Sequence, residues 1–143
     1  MISIKVERIL EGAKMPTKAY ITDAGYDLYS PVDFMIHRQS RKLIDIGIRI
    51  ELPEWYEAQI RSRSGMAVKR GVCVLNGVGT IDCGFKGSIM TLLYNSTDAP
   101  VYFKKGDRIS QLVIKEVPKV TLVEGPVAKE TNRGINGVGS SGE

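Results

Sequence analysis

The chain has 143 residues, 15 of them Gly, with two Cys, one His and a formal net charge of +4. That length fits one domain with one core, and two Cys beside a single His exclude a disulfide framework and a zinc site of the usual kind. The positive charge is spread out, apart from small groups at Arg38 to Lys42, Arg61 to Arg63 and Lys104-Lys105, so no basic tail marks a nucleic-acid arm, and an anionic small ligand is equally compatible.

The opening MISIKVERIL carries charges inside its apolar run, which argues against a signal peptide or a membrane span there. Ile2, Ile4 and Val6 alternate with polar residues and predict a half-buried strand. A second strand is predicted at Gly25 to Ser30, with Leu28 on one side and Asp27 on the other, facing solvent or a ligand. Leu43 to Leu52 is the clearest strand: Ile44, Ile46, Ile48 and Ile50 share one face. Trp55 to Ile60 reads as its returning antiparallel partner. Ser64 is expected to cap a short helix over Met66 to Arg70, stopped by Gly71. Such a helix start beside Arg63 can seat a phosphate; an ordinary solvated turn is the plain alternative.

Asn76 to Ser88, NGVGTIDCGFKGS, is dense in Gly and predicts a hairpin whose backbone forms a narrow slot with Asp82 at its mouth. A flat polar ligand such as a nucleobase would suit it, and a turn-rich hairpin with an ordinary capping aspartate is the alternative. Further strands are expected at Ile89 to Tyr94, Ala99 to Phe103, Arg108 to Val117 and Val120 to Glu124. Gln111 lies among apolar residues, so its amide should have a definite partner. The tail from Ala128 is polar and Gly-rich: either a disordered tail or a flexible arm that folds over phosphates through Arg133. There is no GxxxxGK[ST] run, which excludes a P-loop ATPase. Short strands, Gly-rich turns and one short helix predict an all-β, jelly-roll-like β-sandwich over 1–127 and a glycine-rich C-terminal arm over 128–143.

Five short stretches, taken in order, resemble the motifs of the trimeric dUTP diphosphatase (dUTPase) family: Ala24-Gly25-Tyr26-Asp27-Leu28, Arg63-Ser64-Gly65-Met66-Ala67, the Asn76 to Ser88 stretch, Gly106-Asp107-Arg108-Ile109-Ser110-Gln111-Leu112, and Arg133 to Gly142. The resemblance implies hydrolysis of dUTP to dUMP and diphosphate, Mg²⁺ as cofactor, and a cytoplasmic homotrimer whose active sites are shared between subunits. It implies that Asp82 orients the attacking water, that Asp27 holds the metal through water, and that Gln111 meets the phosphate chain. Arg63, Ser64 and Gly65 would bind phosphates. Asn76, Gly79, Thr80 and Ile81 would line the uracil site, with Phe85 against the sugar. Arg133, Gly137, Val138, Gly139 and Ser140 would belong to the closing arm. Three positions depart from the family pattern: Phe85 stands for the usual Tyr, Gly84 for a frequent second acid, and Val138 for an aromatic that covers uracil, so a weaker grip on substrate is expected. The run Ile81 to Gly87 is also similar to that of the dCTP deaminases, but the position of their catalytic Glu falls on Leu92, which moves no proton. A regulatory or binding protein with a dUTPase-like body is the other alternative. Nucleic acid is not an expected partner, because the aromatics do not interleave with basic residues, and no membrane is expected.

Overall fold

The computed structural model describes residues 2–128, 131 and 134–135. Eleven strands and one helix are present among them: β1 Lys5–Arg8, β2 Gly25–Tyr29, β3 Phe34–Ile36, β4 Ser40–Asp45, β5 Ile48–Glu51, β6 Tyr56–Arg61, α1 Ser64–Arg70, β7 Val72–Val74, β8 Val78–Asp82, β9 Met90–Asn95, β10 Val101–Phe103 and β11 Arg108–Glu116. They form a four-stranded sheet in the order β2-β11-β6-β8, a three-stranded sheet β4-β9-β7, and the antiparallel pairs β1-β5 and β10-β3. All four groups turn apolar side chains into one core, to which Leu28, Ile36, Ile48, Ile60, Leu93 and Ile109 each contribute a fully buried residue. The expected all-β jelly-roll class with one short helix is the fold observed.

Polar links hold the layers in place. Thr91 on β9 and Ser110 on β11, both fully buried, share a hydrogen bond of 2.9 Å between the two larger sheets. Phe34 and Phe103 stack across the β3-β10 pair with centroids 4.6 Å apart, a contact worth about 1 kcal/mol beyond its buried area.

Several expected elements differ in detail. The run Leu43 to Leu52 keeps its alternation, yet it is two strands in two sheets: β4 pairs with β9, and β5 pairs with β1. The break is at Gly47, whose φ of +75° suits glycine, and a Cβ there would stand 2.8 Å from the Cβ of Leu10. β6 is not the return strand of this run; it pairs with β11 and β8. Asn76 to Ser88 is not itself a hairpin: its one strand, β8, joins β6, while the strands that flank the stretch, β7 and β9, pair with each other. Ser64 is the first helical residue rather than the cap. The cap position is Arg63, whose carbonyl accepts the N–H groups of Met66 and Ala67, and no side chain caps the helix. Gly71 does end α1 in the left-handed conformation. Val120 to Glu124 forms no strand and is exposed, whereas β3, which the sequence did not signal, pairs with β10.

Candidate active site

The candidate residues gather in two grooves. The first, of about 350 Å³, opens at β8 and is lined by Asn76, Gly79, Thr80, Ile81, Asp82 and Phe85, with Leu92 and Ser88 opposite. Its volume is in the range of small-ligand sites. Among the described residues β8 is the edge of its sheet and pairs only with β6, so the peptide groups of its other side have no ladder partner among them. Gly79 keeps that backbone accessible: a Cβ there would crowd Ile60 at 3.2 Å and the Asn76 amide nitrogen at 3.4 Å. Ile81 points into the core, and Asp82 beside it is exposed. The Asp82 carbonyl accepts the Phe85 N–H at 3.0 Å, and this turn carries the Phe85 ring back to the same groove. Among the described residues Asp82 is the only ionisable side chain of the lining, and Leu92 offers no second proton carrier.

The second groove, of about 330 Å³, lies at the opposite edge of the sheet and gathers Gly25, Asp27, Arg63, Ser64, Gly65, Arg108 and Gln111. Asp27 on β2 faces Gln111 on β11 across the ladder. Gln111 has the definite partner its setting predicted: its amide nitrogen donates to the Ser62 carbonyl at 2.8 Å. Asp27 is turned away from the core as its alternation with Leu28 indicates, but to arginine rather than to open solvent. Its Oδ1 lies 2.6 Å from Arg63 Nε and its Oδ2 3.1 Å from Arg108 Nη1, with the Asp27 side chain only 15% exposed. Ser64 and Gly65 are exposed at the start of α1, and no described residue stands within 4 Å of where a Gly65 Cβ would be. A ligand oxygen can therefore reach the first-turn backbone there.

Arg108 lines the second groove, and sequence reasoning passed over it. It is placed by the turn before β11, where the Ser30 N–H donates to the Asp107 carbonyl at 2.9 Å and the Gly106 N–H to the Ser30 carbonyl at 2.8 Å. Its signal was the basic residue within Gly106-Asp107-Arg108. Arg133, Gly137, Val138, Gly139 and Ser140 lie outside the described residues.

The grooves of one chain are far apart. Asp27 faces Gln111, Gln111 faces Arg61, Arg61 faces Val78, and Asp82 ends the same strand β8. At about 4.8 Å between strands and about 3.4 Å per residue, the backbones of Asp27 and Asp82 are separated by about 20 Å. Among the described residues, no group of three or more His, Cys, Asp or Glu could hold a metal ion.

An all-β body with a phosphate-competent groove and a nucleoside-sized groove defines a nucleotide-acting protein of the jelly-roll class. A family profile described as dUTPase matches residues 11–142. The deoxyuridine 5'-triphosphate nucleotidohydrolase of Clostridium tetani is 45% identical over 141 residues, covering 99% of this chain and 97% of that protein. The protein of the same name from Anaplasma marginale is 41% identical over 146 residues, with 99% of both covered. Among solved structures, the dUTPase of Staphylococcus bacteriophage 80alpha with dUPNHPP superposes with a TM-score of 0.92 at 26% identity, covering 100% of both chains. The chain belongs to the dUTPase family.

Proposed function

We propose that this protein hydrolyses dUTP to dUMP and diphosphate, keeping uracil out of DNA and supplying dUMP for thymidylate synthesis. The observation that carries the reading is Asp82: one exposed carboxylate, the one ionisable group among the described residues that line a nucleoside-sized groove, at the open edge of β8. The peptide groups of that edge read the uracil, Asn76 braces it, and Phe85 packs on the sugar. A clash of the thymine methyl with the groove wall would then set the choice of base. Asp82 accepts a proton from water and aims the oxygen at the α-phosphorus. The new P–O bond forms as the bond from the α-phosphorus to the bridging oxygen breaks, and diphosphate leaves.

Arg63, Ser64, Gly65 and Gln111 hold the phosphates, and Arg133 with Gly137, Val138, Gly139 and Ser140 closes over them. Asp27 would hold a Mg²⁺ that arrives with the triphosphate through the ion's water shell, with the phosphates as its direct ligands, since no cluster of further ligands stands beside Asp27 among the described residues. Bound there, Mg²⁺ would neutralise charge on the departing diphosphate.

The gap between Asp27 and Asp82 supports a shared site. Two carboxylates that serve one triphosphate, one at the attacking water and one at the metal's water shell, cannot stand about 20 Å apart. A homotrimer resolves this by setting the phosphate groove of one subunit against the β8 groove of the next, with the 128–143 arm reaching across. No helix among the described residues is long and apolar enough to cross a membrane, and we place the enzyme in the cytoplasm, or the host cytoplasm for a viral owner.

Incubation with Mg²⁺ and, separately, dUTP, dCTP, dTTP and UTP tests the reading. The expected result is dUMP and diphosphate from dUTP alone. A uracil nucleotide from dCTP would shift the assignment to deamination, and no turnover at all would leave a binding or regulatory protein.

A further inference from the structure

We propose that Asp45 is a positioning residue for sugar selection: through Ser88 and Gly87 it holds the Phe85 ring against the deoxyribose. This rests on the placement of Phe85 given above. Asp45 ends β4, just before the break at Gly47, and lines neither groove. The break aims it. Its Oδ1 accepts the Gly47 N–H at 2.7 Å, which fixes the half-buried carboxylate, and the same oxygen accepts the Ser88 hydroxyl. That hydroxyl has one proton, and the Ile48 carbonyl, at 3.5 Å, is too far away to compete for it. A hydrogen bond to a carboxylate is roughly twice as strong as one between neutral groups.

Ser88 lies at the end of the connection from β8 to β9 that carries Phe85. At its front, the Phe85 N–H donates to the Asp82 carbonyl at 3.0 Å. Behind it, Ile89 donates to the Ile48 carbonyl at 2.8 Å and accepts the Ile46 N–H at 2.9 Å. Between these points, among the described residues, Ser88 Oγ makes the one hydrogen-bonded tie from residues 86–88 to another element. Lys86 reaches only back to the Cys83 carbonyl, within the same connection. The Phe85 ring rests on Gly87, where a Cβ would stand 2.6 Å from Phe85 Cζ. The floor under the ring is therefore pinned one residue away, by Asp45. Without that tie, Gly87 and the ring shift together, and the packing that sets deoxyribose apart from ribose loosens.

Calorimetric binding of the non-hydrolysable imido analogues of dUTP and of UTP to the full chain, with Mg²⁺, tests this as a ratio of affinities. In Asp45→Ala the preference for the deoxy analogue should fall about threefold or more, a fraction of the packing difference at Phe85. Ser88→Ala should lose as much, and the two together no more than either alone. Asp45→Asn, which keeps an accepting oxygen, should stay closer to wild type than to Asp45→Ala. In a Phe85→Ala background, Asp45→Ala should change the ratio no further, a result that general loosening of the fold would not give. Ser88→Ala carries the test if melting curves show Asp45→Ala unfolded. Folded Asp45→Ala and Ser88→Ala proteins with the wild-type ratio would overturn the proposal, as would a loss that persists undiminished without the Phe85 ring. Those two outcomes spare the dUTP assignment, whereas wild type that binds both analogues alike would refute that assignment and the proposal with it.

Discussion

Gly25 on β2 lies directly beneath the carboxamide of Gln111 on β11: a Cβ at position 25 would stand 3.1 Å from Gln111 Cδ and would collide with its Oε1. The amide has little freedom to yield, because its nitrogen is tied to the Ser62 carbonyl at 2.8 Å. Gly25→Ala should therefore expel Gln111 from the phosphate groove. We expect a loss of about 1–3 kcal/mol in denaturant unfolding, the usual cost of overpacking, and a fall of about tenfold or more in kcat/KM for dUTP, about 1.4 kcal/mol of transition-state binding. The double variant Gly25→Ala, Gln111→Ala should regain much of the stability but none of the activity, the non-additivity expected of two groups in contact.

Phe85 is 46% exposed and its ring covers Gly87, where a Cβ would approach Phe85 Cζ to 2.6 Å. The ring is held over the β8 groove without contributing a hydroxyl. Phe85→Ala should cut the preference for dUTP over UTP by about tenfold, the scale of an apolar packing difference. Phe85→Tyr should leave that preference intact. Competing-substrate kinetics measure both.

Asn95 is fully buried, and its amide nitrogen donates to the carbonyls of Ile36, His37 and Ala99 while its oxygen accepts from the N–H and hydroxyl of Thr97. It fastens the β3 end and the turn after β9 and lines neither groove. Asn95→Leu should cost about 2–4 kcal/mol by leaving several buried groups unpaired, seen as a lower unfolding midpoint with little change in KM.

What the sequence made legible was local, and what it hid was long-range. The alternation of Ile44, Ile46, Ile48 and Ile50 disclosed a buried face, and all four are buried. It could not disclose the break at Gly47, because the crowding there comes from Leu10 and Ala13, distant in the chain. β6 was recognisable as a strand, but its neighbours β11 and β8 come later in the chain and no turn announces them. The side of β2 that carries Asp27 was legible from period two. Its pairing with Arg108, 81 residues on, was not. The cap of α1 was read one residue late because Ser is a favoured cap, while the backbone gave that position to Arg63. In the first groove the motif named the residues, and only the structure added that β8 is an edge.

Across the β1-β5 ladder, Glu7 faces Arg49 and Lys5 faces Glu51, and both pairs are ion pairs, at 2.7 and 2.9 Å. A hydrogen bond from Arg49 lowers the Glu7 pKa below its ordinary value, and Lys5 does the same to Glu51. Lowered carboxylate values mean that these pairs stabilise the fold above the ordinary range near 4.5 and lose that contribution as pH falls through the depressed values. The double variant Glu7→Gln, Glu51→Gln should be slightly less stable than wild type at neutral pH and low salt. The difference should shrink in strong acid and in high salt, as urea unfolding at each condition reports. Equal differences throughout would show that the ion pairs are not its source.

Attack by an Asp82-oriented water on the α-phosphorus is the centre of the account, and hydrolysis of dUTP in ¹⁸O-labelled water, with mass analysis of both products, tests it most directly. The label should appear in the phosphate of dUMP and not in diphosphate, and Asp82→Asn should abolish its incorporation while the protein still binds the nucleotide. Label in diphosphate, or undiminished labelling of dUMP by the folded Asp82→Asn variant, would contradict the account.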